Sequence, residues 1–494
     1  MKLLRKLSIS IVLIITAMSA IIVGGSFTFA ADEPVKSEMI GGVIAANDGG
    51  SRYVAAGVYC AEWTGYYGDD CVDRGGFFAK YELVGGETRE VWKYDFAMDN
   101  VGSGQFNVIW GVAAVNGGYV GLFRKGYINS CTADYLTCDV SDLVFINEAG
   151  TEITVLAEDV LTGDTGAWHS MTGYGDVVYM VFPRYEDGYS SEIKLRYMIY
   201  DLGTGTLSGI MDMPEEINSF YYSGEVWNGF ERCYPFGLGG VMRCQVNWYT
   251  YDEESDSYTD YVKTFNYDFR TGTLKFLMDG PYYIDLDAVN MMIPNIDGSM
   301  TIWYIDTNAG GSGLADILPG NYVVIEADGT VHHYLASETG LTLGCGVVAS
   351  DADERIEFCM LEPNNGEEMM NYVVRKYKNG VLVSEEQIKN PYGGDLGGDW
   401  RQYMLMFTIA YDGESAAIAF WWRAYYEPDG GSTRAVWYRA PVVIIGGLEP
   451  DGEVTDPGDG AEIDPPNTGF NDFSNYANMF TWKKFGIRNY EIAI

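Results

Sequence analysis

Carboxylates dominate the chemistry open to this 494-residue chain, which carries 70 Asp and Glu against 31 Lys and Arg. Two acids about 5 to 9.5 Å apart suffice to hydrolyse a glycosidic bond, and Asp285 with Asp287 or Asp395 with Asp399 supply such pairs by type. In so acidic a chain pairs of this kind also arise by chance, so the pattern favours binding over catalysis. Three histidines, His169, His332 and His333, leave little material for a Ser-His-Asp or metal–His centre. No D-x-[DN]-x-[DN]-G loop with a distal Glu is present, so no cofactor is expected, and calcium would have to be held without a motif. The formal charge of −39 repels phosphate backbones and excludes nucleic acid as a partner.

The acids recur beside aromatic rings: Trp63 and Tyr66 before Asp69 and Asp70, Trp168, Tyr222 and Trp227 around Glu225, Tyr283 with Asp285, and Tyr392 with Asp395, Asp399 and Trp400. A sugar ring stacks on such an aromatic while its hydroxyls donate to the carboxylates. A basic peptide pairs its Arg or Lys with both groups. The plain structural alternative is that these rings seal long loops. At the level of the whole protein three readings follow: a binding protein for glycan or basic peptide, a secreted glycoside hydrolase or lyase using a carboxylate pair, or a structural surface protein.

The elements that must position these residues are strands. Aromatics make up 15% of the chain, with 61 Gly, and no long segment sustains apolar spacing at i, i+3, i+4, i+7, so the pattern predicts an all-β protein. Tight Gly, Asn or Asp turns between alternating apolar runs fall at Asn47-Asp48-Gly49, Asn116-Gly117-Gly118, Gly173-Tyr174-Gly175-Asp176, Leu238-Gly239-Gly240, Asp297-Gly298, Asp351-Ala352-Asp353 and Asp412-Gly413. A second set follows the first six, in ELVGGET, NEAGTE, DLGTGTL, DFRTGTL, EADGTV and YKNGVL. Between the sets lie longer polar connections. Each unit therefore has four strands, A to D, with tight A–B and C–D turns on one face and loose B–C and D–A connections on the other. Seven units predict a seven-bladed β-propeller of four-stranded antiparallel blades over residues 38–448. The aromatic and acidic residues fall on the face of the long connections. The last unit lacks a second tight turn, and its outer strand is expected from residues near PVKSEMIGG.

The N-terminus has Lys2, Arg5 and Lys6, then an apolar run from Leu7 to Val23, then small residues to Ala30. This predicts a secretory signal peptide over 1–30 and an extracellular location. Eight cysteines agree with export, and their clustering favours the pairs Cys60–Cys71, Cys131–Cys138, Cys233–Cys244 and Cys345–Cys359 among 105 connectivities. The first two pairs would close B–C connections; the last two would straddle A–B turns. Residues 449–464 read as a disordered linker rich in Pro, Gly and acids.

Two resemblances add to this. YDLGTGTL and YDFRTGTL resemble the D-x-x-T-G turns of several propeller families, kelch and quinoprotein repeats among them. After the linker, Pro465-Pro466-Asn467-Thr468-Gly469 resembles the LPxTG signal of sortase-anchored bacterial surface proteins, with Pro465 in place of Leu. That resemblance implies a sortase-like transpeptidase as partner, cleavage between Thr468 and Gly469, and attachment to the cell wall. Pro466, Thr468 and Gly469 carry it, and residues 465–494 form the motif and a short tail. The tail holds no apolar span; Phe473, Tyr476, Ala477 and Phe480 share one helical face suited to a membrane interface.

Overall fold

A computed structural model describes residues 37–446, apart from 65–69, 99–108, 130–136, 162–169, 186–192, 219–226, 236–238, 253–256, 281–291, 295–299, 305–320, 326–329, 336–344, 351–353, 362–370, 389–399, 413–414 and 427–435. The described residues form seven antiparallel sheets, six of four strands and one of five. Sheet 1 holds β1 (Ser37–Ala45), β2 (Arg52–Thr64), β3 (Asp70–Val84) and β4 (Glu87–Ala97). Sheet 2 holds β5 (Ile109–Val115), β6 (Gly118–Asn129), β7 (Thr137–Asn147) and β8 (Ile153–Leu161). In sheet 3, β9 (Ser170–Tyr174), β10 (Val177–Tyr185) and β11 (Ile193–Asp201) precede two short strands on one edge, β12 (Thr206–Leu207) and β13 (Met211–Asp212). A single helical turn, α1 (Glu215–Asn218), follows.

Sheet 4 holds β14 (Trp227–Pro235), β15 (Val241–Asp252), β16 (Ser257–Asp268) and β17 (Thr273–Gly280). Sheet 5 holds β18 (Met292–Pro294), β19 (Met300–Tyr304), β20 (Asn321–Ile325) and β21 (Val331–Leu335). Sheet 6 holds β22 (Cys345–Ser350), β23 (Glu354–Leu361), β24 (Asn371–Lys378) and β25 (Val381–Ile388). Sheet 7 holds β26 (Trp400–Tyr411), β27 (Ser415–Tyr426), β28 (Val436–Arg439) and β29 (Val442–Gly446). The first six sheets run up and down in chain order, as the turn spacing predicts.

The core lies between sheets. Along β2, Val54, Ala56 and Val58 pack with Phe78 against Tyr119, Phe123 and Val144 of sheet 2. The intervening Tyr53 and Ala55 pack with Phe77 and Ala79 against Ala417, Ala419, Val442 and Ile444 of sheet 7. Both faces of the strand are thus buried, which is why YVAAGV and SAAIAF read as continuous apolar runs rather than alternations. The same layering joins sheet 2 to sheet 3 through Leu122, Leu143, Val178 and Phe182. Sheet 3 meets sheet 4 through Val181, Leu195, Met242 and Phe265.

Tight turns carry a second set of contacts. All twelve positive-φ glycines among the described residues lie in A–B or C–D turns. The DLGTGT and DFRTGT turns share one construction. The Gly205 and Gly272 amides donate to the carbonyls of Asp201 and Asp268, both at 2.8 Å. The Asp side chains accept from Thr204 N at 3.1 Å and Arg270 N at 2.9 Å. This is the Asx-turn logic that selects Asp at the first position and Gly where φ reaches about +68°.

The A–B turns of sheets 1, 2, 3, 4 and 7 are also stitched to neighbours. Asn47 Nδ2 donates to Val115 O at 2.8 Å and Gly118 O at 3.3 Å, and Asn47 N donates to the Tyr119 hydroxyl at 3.2 Å. Asn116 N donates to Gly175 O at 2.8 Å, and Gly240 N to Thr172 Oγ1 at 3.0 Å. Sheets 1 to 4 therefore present their tight turns on one side. Sheet 7 joins the same side of sheet 1, because Ser51 N donates to Asp412 Oδ2 at 2.6 Å.

The last sheet departs from expectation. Ser37–Ala45, within the segment expected as its outer strand, instead pairs β2 at the start of sheet 1. The physical reason is burial: Met39, Ile40 and Val43 are buried, an interior pattern unlike the largely exposed outer strand β4. In sheet 7, β28 and β29 both pair β27, interrupted at Ala440-Pro441, where Pro has no N–H to offer. Within β29, Ile444 N donates to Thr88 Oγ1 of β4 at 2.7 Å.

Gly173 tests the stitching. A Cβ there would stand 2.0 Å from Ala114 O, a backbone atom of sheet 2, whereas one on Gly205 meets open space. Gly173→Ala should cost about 2–4 kcal/mol by chemical unfolding. Gly205→Ala should cost about 1–2 kcal/mol, through its φ alone. Equal losses would mean that backbone conformation, not inter-sheet approach, sets the price.

Candidate functional site

The strand order fixes where the candidate residues stand. In an up-and-down sheet, strand A begins and strand B ends on the side away from the A–B turn. Trp227 is the first residue of β14, Trp400 the first of β26, and Trp63 lies one residue from the end of β2. All three occupy the long-connection ends of their sheets, at strand termini rather than in the loops the sequence suggests. In register Trp227 stands opposite Tyr249, Trp400 opposite Tyr426 and Trp63 opposite Cys71. Two of these ends thus bear a Trp–Tyr cross-strand position, a pairing that appears only once register is known.

Tyr66, Trp168, Tyr222, Tyr283, Asp285, Tyr392, Asp395 and Asp399 lie outside the described residues, as do Pro466, Thr468 and Gly469. The connection that leads to Tyr222 is anchored where it leaves the fold. Asn218 is 1% exposed. Its Oδ1 accepts from Leu195 N at 2.9 Å, and its Nδ2 donates to Met213 O at 3.0 Å. Met213 and Ile217 fill the layer between sheets 3 and 4. One amide side chain therefore satisfies two buried backbone groups at the end of α1.

The expected disulfide Cys233–Cys244 is formed across directly opposed positions of β14 and β15. Cys345 and Cys359 are likewise opposed on β22 and β23, and Cys359 and Cys60 each take part in a disulfide. Cys131 lies outside the described residues, while Cys71 and Cys138 begin β3 and β7 as second residues. No free cysteine occurs among the described residues.

Several buried charges, Lys125, Arg243 and Glu357 among them, escaped sequence reasoning because nothing local marks them. Lys125 of β6 reaches Asp142 at 3.1 Å and Asp159 at 2.9 Å. Burial pulls its ammonium down, but the hydrogen bonds to Asp159 and Asp142 hold it above the usual lysine value. Arg243, fully buried on β15, donates from Nε to Asn266 at 2.8 Å. Glu357 of β23 is fully buried, with Oε1 at 2.8 Å from Arg355 Nε. Burial pushes its carboxyl up, against the pull of Arg355 and Arg375. Arg375 stands opposite both Glu357 and Glu385 in register, and binds Glu385 at 2.7 Å. Glu357 sits on an interior strand of sheet 6, near its A–B turn.

Among the described residues no group of His, Cys, Asp and Glu is arranged to hold a metal, and no helix is long and apolar enough to cross a membrane.

No protein-family model and no curated protein matches the chain. Solved structures similar to it include the β-propeller domain of the Trilobed protease from Pyrococcus furiosus, at 10% identity and TM-score 0.27, covering 58% of this chain and 72% of that one. The α-L-arabinofuranosidase Arb93A from Fusarium graminearum is similar at 11% identity and TM-score 0.33, over 84% of this chain and 94% of that one. An acylaminoacyl peptidase is similar at 8% identity and TM-score 0.38, over 82% of this chain and 52% of that one. No activity carries over from likenesses this distant.

Glu357 yields a signed pH prediction. A carboxyl whose folded pKa is raised binds its proton more tightly when folded, so its stabilising contribution is complete below the unfolded value and is lost as pH rises through the folded one. Glu357→Gln should therefore raise the thermal midpoint at about pH 8, with the gain vanishing near pH 4. A gain of equal size at both pH values would place the effect in packing instead.

Proposed function

We propose that this chain is an exported, surface-attached seven-bladed β-propeller whose long-connection face binds glycan or basic peptide. A radial order is supported by the inner strands of sheets 7, 1, 2, 3 and 4, where β26 packs against β1, β1 against β5, β5 against β9 and β9 against β14, and β18 of sheet 5 packs against both β22 and β26. Sheet 7 meets sheet 1 across a further shared core layer. The observation that carries the binding reading is the common placement of Trp63, Trp227 and Trp400 at strand ends away from the tight turns. The aromatic and acidic connections spring from that same side, and the opposite side is occupied by turn-to-turn hydrogen bonds.

Binding would rest on ring stacking with carboxylates as acceptors or counter-charges. The acidic chain would draw in cationic peptides and repel anionic polymers. Attachment follows from the PPNTG segment. A transpeptidase opening the Thr468–Gly469 bond would pass the Thr468 carboxyl to a wall amine, with residues 449–464 as the spacer.

Trp227→Ala and Trp400→Ala should each abolish binding on a glycan and basic-peptide array while the melting temperature moves by at most a few degrees. Loss of binding and of stability together would mean that both rings are packing residues. Turnover of a bound glycan, lost in Asp395→Asn or Asp399→Asn, would replace this reading with a hydrolase.

For attachment, mature protein recovered from cells should end at Thr468 joined to wall material, and Thr468→Ala should release it into the medium or leave it detergent-extractable. Wall-bound protein retaining residues beyond Gly469 would refute the sorting role.

A further inference from the structure

Strand β25 is exposed over nearly its whole length. It closes the outer edge of sheet 6, bonded to β24 on one side only. Val381, Leu382 and Val383 are 65%, 40% and 54% exposed, so three consecutive apolar residues present both faces and an open backbone edge. Ser384, Glu385 and Glu386 follow. An uncovered edge of this kind is a template for an added strand. A strand entering antiparallel must present basic residues first and apolar ones next.

Two sequences outside the described residues have this order: Arg5-Lys6-Leu7-Ser8-Ile9, within the segment expected to be removed on export, and Lys483-Lys484-Phe485-Gly486-Ile487-Arg488, which lies outside that segment. Laid antiparallel with Lys484 opposite Glu385, the second sets Lys483 opposite Glu386 and Ile487 opposite Leu382. Three basic residues within six stand out in a chain of formal charge −39. We propose that residues 483–488 add to the free edge of β25 as an antiparallel strand.

The 36 residues from 447 to 482 span at most about 120 Å extended, and a tether of that length gives an effective concentration on the order of millimolar, so weak intrinsic pairing suffices. A second copy fits worse, since two antiparallel β25 strands would crowd their Glu385 and Glu386 carboxylates together at the centre. The pairing is independent of the ligand face. It concerns the chain before any cleavage after Thr468, which would remove the added strand.

The test uses the full chain carrying Thr468→Ala, so that the tail is retained, and reads backbone hydrogen exchange across 381–388. Exchange should quicken at least tenfold when Lys483→Glu and Lys484→Glu are introduced. Placing Glu386→Lys beside Lys483→Glu alone should restore protection, which a merely destabilised fold would not do. Equal exchange with and without the charge reversals overturns the proposal. So does protection that grows with protein concentration, which assigns the edge to a second copy, or protection seen only with anionic vesicles, which assigns the tail to a membrane surface.

Discussion

The layer between sheet 7 and sheet 1 is the contact on which the arrangement depends. Strand β2 is buried on two faces, so sheet 1 needs a neighbour on both sides. Sheet 1 has only one neighbour next to it in sequence, and its other face is covered from the far end of the chain. The Tyr53 hydroxyl, fully buried, donates to Ser415 O at 2.5 Å and meets Ser415 Oγ at 2.9 Å. Trp421 Nε1 donates to Ile40 O at 2.8 Å. Burial drives the Tyr53 phenol far above its ordinary pKa, so the hydroxyl keeps its proton where a free phenol would lose it. Small Ala417 and Ala419 face large Tyr53 and Phe77, complementary sizes that let two sheets approach without a void.

Much of this fold was legible in the sequence because turns are chemically local. A φ near +60° to +80° admits few residues besides Gly, so VNGGY, GYGD and DFRTG announce their bends without reference to the rest of the molecule. The cross-strand disulfide was legible for a similar reason, since a short tight hairpin puts Cys233 and Cys244 face to face whatever surrounds them.

What could not be read depends on which strand or sheet each residue faces, which no local sequence states. Asn47 looks like any turn asparagine, yet its amide reaches Val115 and Gly118 of the next sheet. Ser37–Ala45 pairs with sheet 1 rather than sheet 7 because a short apolar run carries no mark of which sheet will receive it. Glu357 and Arg243 sit in strand sequences whose alternation suggests half-exposed positions, and only the facing strands bury them. The candidate face stands between these cases: its aromatic residues are visible in sequence, their common side follows from turn spacing, and the Trp–Tyr cross-strand positions emerge only from register.

The contact between Tyr53 and Ser415 joins residues 362 positions apart, and this bears on how the chain is made. Growing from its N-terminus, the chain can assemble sheets 1 to 6 one against the next, each loop closure enclosing roughly sixty residues. The final closure encloses six times that length, yet because closure entropy grows with the logarithm of length it costs only about 1.6 kcal/mol more. The delay, rather than the energy, is the difficulty. Until residues 415–446 emerge, one side of sheet 1 waits uncovered, and the acidic surface supplies the repulsion that keeps such half-built chains apart.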